Sequence, residues 1–98
     1  MPLTQTQKRA LRGQAHALRP VVILGQRGLT DNVLEEVGIA LGAHELIKVR
    51  INAGDREERD ALMNEISRRT GATLVQRIGH VAVFFRRNPD KPRIVLPE

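Results

Sequence analysis

The sequence has no cysteine, tryptophan or tyrosine, and its only aromatic residues are Phe84 and Phe85. Without cysteine there can be no disulfide, thiolate zinc site or cysteine nucleophile. Two adjacent phenylalanines do not make the aromatic platform on which RRM-type sheets stack bases. No apolar run approaches the roughly 20 residues of a membrane span. The opening Met-Pro-Leu-Thr-Gln-Thr-Gln lacks the apolar core of a signal peptide. The expectation is a cytoplasmic protein with no membrane contact. Catalytic signals are equally scarce. Ser67 is the only serine, and His16, His44 and His80 are scattered with no metal-ligand spacing. His44 beside Glu45 reads as a surface histidine at a helix end. No enzyme activity, metal, cofactor or small-molecule substrate is expected.

The most informative absence is local. Residues 1–30 contain no Asp or Glu but hold Lys8, Arg9, Arg12, Arg19 and Arg27. Over the whole chain, 16 basic residues face 11 acidic ones for a net charge of +5. Beyond residue 30 the two signs cancel, so the entire excess sits in the first third. A field that one-sided attracts polyanions. Thirteen of the basic residues are arginine, whose planar fork suits phosphate.

The 98 residues suffice for one domain, 1–98. Thr4-x-x-Gln7 is a capping-box pattern opening a helix that runs to Pro20, which forbids continuation. Leu11, Ala15 and Leu18 form its apolar stripe. Lys8, Arg9 and Arg12 lie on a solvent-facing flank. Val21-Val22-Ile23-Leu24 reads as a strand buried on both faces and internal to its sheet. After Gly25-Gln26-Arg27-Gly28, Thr30 or Asp31 caps a second helix with Val33, Leu34, Val37 and Leu41 inward and Gly42 as its stop. Glu45–Ile51 alternates, Ile47, Val49 and Ile51 on one face, Leu46, Lys48 and Arg50 on a wet, basic one. Asp55 and Glu58 open a third helix that ends at Gly71, and Gly79 joins two final strands as a hairpin. Phe84 and Phe85 alternate, placing one in the core. Residues 88–98, with three prolines, read as an extended surface tail. The order is α-β-α-β-α-β-β. It implies an α/β two-layer sandwich with a mixed four-stranded sheet, parallel in its early strands.

Gly25-Gln26-Arg27-Gly28 stands between a strand and a helix. Two glycines allow a tight turn and close approach by another molecule, Arg27 supplies charge, and the helix start supplies N–H groups. GxxG loops clamp nucleic-acid backbone in KH domains. In the third helix, Asp55 precedes Arg59 and Glu65 precedes Arg69 by four, the spacing of ordinary intrahelical pairs. Arg56, Arg59, Arg68 and Arg69 are therefore discounted. Lys48 and Arg50 could extend a basic surface or merely solvate a sheet face, and so could Arg77, Arg86 and Arg87.

Met1–Arg12, followed by Leu18-Arg19-Pro20-Val21-Val22-Ile23-Leu24-Gly25-Gln26-Arg27-Gly28-Leu29-Thr30, resembles the bacterial YhbY-like proteins, which are single CRM (chloroplast RNA splicing and ribosome maturation) domains. The resemblance continues through Leu46–Ile51, Thr70-Gly71-Ala72 and Ile94-Val95-Leu96-Pro97, essentially the whole chain. It implies a fold similar to the C-terminal domain of translation initiation factor three. It implies RNA binding, with ribosomal RNA or pre-ribosomal particles of the large subunit as partner. It places the RNA-contacting loop on Gly25, Gln26, Arg27 and Gly28 and the basic surface on Lys8, Arg9, Arg12, Lys48 and Arg50, beside which Arg19 adds charge. The competing expectation is a protein-interaction module that docks on a ribosomal protein or assembly factor.

Overall fold

A computed structural model describes residues 2–98; Met1, the first residue of the stretch carrying the family resemblance, lies outside them. The elements are α1 (Gln5–Ala15), β1 (Pro20–Leu24), α2 (Asp31–His44), β2 (Leu46–Ile51), α3 (Arg56–Thr70), β3 (Thr73–Ile78) and β4 (Val81–Phe85). The sheet order is β1-β2-β4-β3, with β1 parallel to β2 and the other pairs antiparallel. The α-β-α-β-α-β-β order and the mixed four-stranded sheet are those the sequence implies.

Local chemistry sets most boundaries. The Thr4 hydroxyl accepts from Gln7 N while the Gln7 side chain accepts from Thr4 N, closing the capping box. Thr30 caps α2 by accepting from Val33 N, and Asp55 caps α3 by accepting from Glu58 N. Gly71 ends α3 in the left-handed conformation, at φ +75°.

Two buried clusters sandwich the sheet. Leu24, Val37, Leu41, Ile47, Ile66 and Phe84 belong to the larger, where α2 and α3 pack on one face. Leu11, Ala15, Leu46, Val75, Val83 and Phe85 form the smaller, where α1 covers part of the other face with Ile94 and Leu96 from the tail. Both phenylalanines are therefore core, on opposite sides of β4, because α1 shields the face left open in the sequence reading.

Four expectations are corrected. First, β1 is an edge strand, with Val21 and Ile23 52% and 59% exposed. Its apolar run is longer than its burial because α1 does not reach across to cover it. Second, α1 stops at Ala15, five residues before Pro20, and Leu18 lies in the connection. His16 N reaches back to Gly13 O and Leu18 N to Ala15 O, tightening the chain out of the helix. Third, α2 continues through Gly42 to His44, and Glu45 makes the stop at φ 64°. Fourth, Asp55 does not pair with Arg59. Its carboxylate is taken by the α3 cap, and Arg59 Nη1 donates to Gly54 O instead. By contrast Glu65 pairs with Arg68 at 2.6 Å and lies 3.8 Å from Arg69.

The tail is docked through Glu45, a fully buried carboxylate. Oε1 accepts from Arg93 N (2.6 Å) and Ile94 N (2.8 Å), and Oε2 from Asn88 N (2.7 Å). The Arg87 guanidinium lies 3.2 Å away and also donates to Ile94 O. Gln7 of α1 ties down the far end by donating to Pro97 O. Burial acts to raise the Glu45 pKa. The three amides and Arg87 outweigh it and hold the carboxyl below its ordinary value.

Candidate nucleic-acid interface

The Gly25–Gly28 loop occupies the edge of the sheet where the parallel strands end. Leu24 is in register with Ile51, and Asn52 N donates to Leu24 O at 2.9 Å, which fixes the root of the loop. Gly28 N then donates to Gly25 O at 3.0 Å, closing a β-turn with Gln26 and Arg27 exposed at its tip. Leu29 packs against the larger core and anchors the exit.

The two glycines differ. Gly28 has φ +72°, a conformation that favours glycine for internal reasons. Gly25 has a negative φ, and a Cβ built on it would meet no atom within 4 Å. Nothing within the fold requires a glycine there. The helix behind the loop is less available than the sequence implied, because Thr30 already caps α2 and Asp31 places an acid in its first turn. The positive character of the loop comes from Arg27, not from an open helix terminus.

The basic residues divide into groups. Arg12 and Lys48 line one small recess with His16, Gln76 and Ile78, so α1 and β2 bring their charges together. Lys48 Nζ also donates to Leu18 O at 3.2 Å, which steadies the α1–β1 connection. Arg50 is exposed one row nearer the loop, in register with Ile23, and donates to Asn52 Oδ1 at 2.9 Å. Lys8 precedes Arg12 by one helical turn, whereas Arg9 is exposed on the side of α1 away from Leu11. Arg19 stands apart, lining a separate recess with Val21 and His44. Arg86 and Arg87 are committed internally. Arg86 donates to Thr70 O and Gly38 O, and Arg87 holds Glu45.

Sequence reasoning missed Glu45 as the organiser of the tail. The signal was faint, a lone carboxylate before an apolar strand. Among the described residues no group of three or more His, Cys, Asp or Glu side chains is placed to hold a metal ion. No helix among them is long and apolar enough to cross a membrane.

Comparison with known proteins shows the family. Residues 3–86 match the CRS1 / YhbY (CRM) domain. An RNA-binding protein of Haemophilus influenzae is 47% identical over 95 residues, covering 97% of this chain and 95% of the relative. A probable RNA-binding protein of Pseudomonas aeruginosa is 44% identical over 89 residues, covering 91% and 86%. The solution structure of a hypothetical protein from Staphylococcus aureus superposes with a TM-score of 0.84 at 33% identity, covering 98% of this chain and all of that one. Family match, relatives and fold agree: the chain belongs to the CRS1/YhbY (CRM) domain family.

Proposed function

We propose that this protein binds structured RNA through its sugar–phosphate backbone, at the Gly25–Gly28 loop and the basic surface of Lys8, Arg12, Lys48 and Arg50, with Arg9 and Arg19 at its margins. The observation that carries this reading is Gly25. It is exposed and under no internal demand to be glycine, yet it roots a turn that presents Arg27 to solvent. A bare backbone beside a positive charge suits the close approach of a phosphate. The names of the Haemophilus and Pseudomonas relatives support the same ligand class. With both phenylalanines buried and no tyrosine or tryptophan, shape and backbone contacts dominate over base stacking. The process is large ribosomal subunit assembly, as the family resemblance implies.

Crosslinking the protein to RNA in growing cells tests the process. Recovered fragments should concentrate on one region of large-subunit ribosomal RNA. Fragments scattered over messenger and transfer RNAs would overturn the assembly role.

One observation favours a second reading, a module that docks on a ribosomal protein or assembly factor. Val21, Ile23 and Ile78 are exposed aliphatic residues on the sheet face that α1 leaves open. Apolar docking there would tolerate salt, whereas phosphate binding would not.

A further inference from the structure

A second gathering of positive charge lies along the same edge of the sheet, on the α3 side. Arg56 and Arg59 from the start of α3, Arg77 from β3 and Gly79 from the hairpin line one recess of about 410 Å³, which Asp60 shares. Three arginines thus share the recess with one aspartate. Asp60 is engaged by Arg77 at 3.3 Å, and Arg77 also donates to Asn64 Oδ1 at 3.1 Å. Arg59 gives Nη1 to Gly54 O, but its Nε is buried with no hydrogen-bond partner among the described residues. Arg56 is exposed, and no ion pair engages it among the described residues. Glu57 and Glu58 also stand in the first turn of α3, but neither lines the recess.

With Asp60 engaged by Arg77, the recess carries surplus positive charge that an anionic oxygen entering it would offset. Forked guanidinium groups suit phosphate oxygens in particular. The position matters as much as the chemistry. Leu24 pairs with Ile51, and Ile51 N donates to His80 O at 2.7 Å. The Gly25–Gly28 loop, the start of α3 and the hairpin therefore follow one another along one edge. Three strand spacings separate β1 from β3, roughly 14 Å. A single nucleic-acid backbone can span that distance.

We propose that the Arg56–Arg59–Arg77 recess is a second phosphate site, which takes a backbone phosphate of the same RNA held at the Gly25–Gly28 loop. The inference rests on the RNA reading above. It gives the edge two points of grip, so that the loop alone does not set the path of the strand.

The test compares wild type, Arg56→Gln/Arg59→Gln and Gly28→Asp for binding to a stem-loop RNA across a salt series. Arg77 is left in place because it also holds Asp60 and Asn64. The double variant should bind about tenfold more weakly, and its log K against log salt slope should flatten by about 0.7–0.9 for the one phosphate no longer neutralised. Unchanged affinity and slope in the double variant, with binding lost in Gly28→Asp, overturn the second site and leave the loop standing. Absence of salt-dependent binding by the wild type overturns both. Should the double variant fold poorly, nuclear magnetic resonance of the wild type decides. The Nε–Hε signals of Arg56 and Arg59 should shift as the RNA is added, and unmoved signals overturn the site.

Discussion

Glu45→Ala should destabilise the protein by roughly 3 kcal/mol at neutral pH, because it leaves three partly buried amides and a half-exposed guanidinium without their common acceptor. For a domain of this size, that corresponds to a fall in melting temperature of about 15 °C or more. Alanine inherits the same unfavourable backbone conformation at φ 64°, so the change isolates the carboxylate. The pH dependence follows from the sign of the shift. Glu45 has a depressed pKa in the folded state. Its contribution is fully present above the unfolded carboxyl value, about 4.3, and is lost as pH falls through the lower folded value. Wild type and variant should therefore differ most near neutrality and converge in acid. Thermal melts of both proteins across that range check it. Equal melting temperatures at pH 7 would mean that Glu45 does not organise the tail.

Gly28→Asp should weaken RNA binding about a hundredfold while costing only about 1 kcal/mol of stability. The cost arises because Gly28 has φ +72°, where an aspartate is tolerated better than most residues. No steric penalty adds to it, since a Cβ there would meet no atom within 4 Å. The loss of affinity arises because a carboxylate placed against a phosphate costs several kcal/mol, and each 1.4 kcal/mol is tenfold. Gly25→Ala is the sharper companion. It should leave the melting temperature unchanged or slightly raised, since its φ is negative and the space beyond it is open. Any loss of RNA affinity in that variant reports an approach from outside. Binding to RNA at wild-type strength by both variants would reduce the loop to a turn.

What the sequence disclosed and what it concealed divide along one physical line. Features decided within four residues were legible. Thr4 with Gln7, Thr30, Asp55 with Glu58, Gly71 and the Gly79 hairpin all follow local rules of capping and turn chemistry. Features decided by distant partners were not. The Val21–Leu24 run gives no sign that one side of its strand stays open, because that depends on how far α1 reaches. The stop of α2 at Glu45 depends on donors 42 to 49 residues away. One local feature was also misread: Asp55 and Arg59 have the spacing of an ion pair, but the carboxylate was already committed to the cap three residues on. That competition frees Arg59 to join Arg56 and Arg77, a cluster drawn from two elements that no linear motif announces. The Gly25–Gly28 loop was legible as a motif, whereas the capped state of the helix behind it was not.

On the proposed function, RNA is held by its backbone phosphates, with Arg27 at the tip of the loop as one of the contacts. The most direct measurement is the affinity for a stem-loop RNA as a function of salt, for the wild type and Arg27→Ala. With about four to six phosphates neutralised, log K should fall against log salt with a slope of about −3 to −5. Arg27→Ala should bind more weakly and flatten that slope by about one, as one lost phosphate contact requires. A wild-type slope near zero, or an Arg27→Ala slope equal to that of the wild type, would contradict the account.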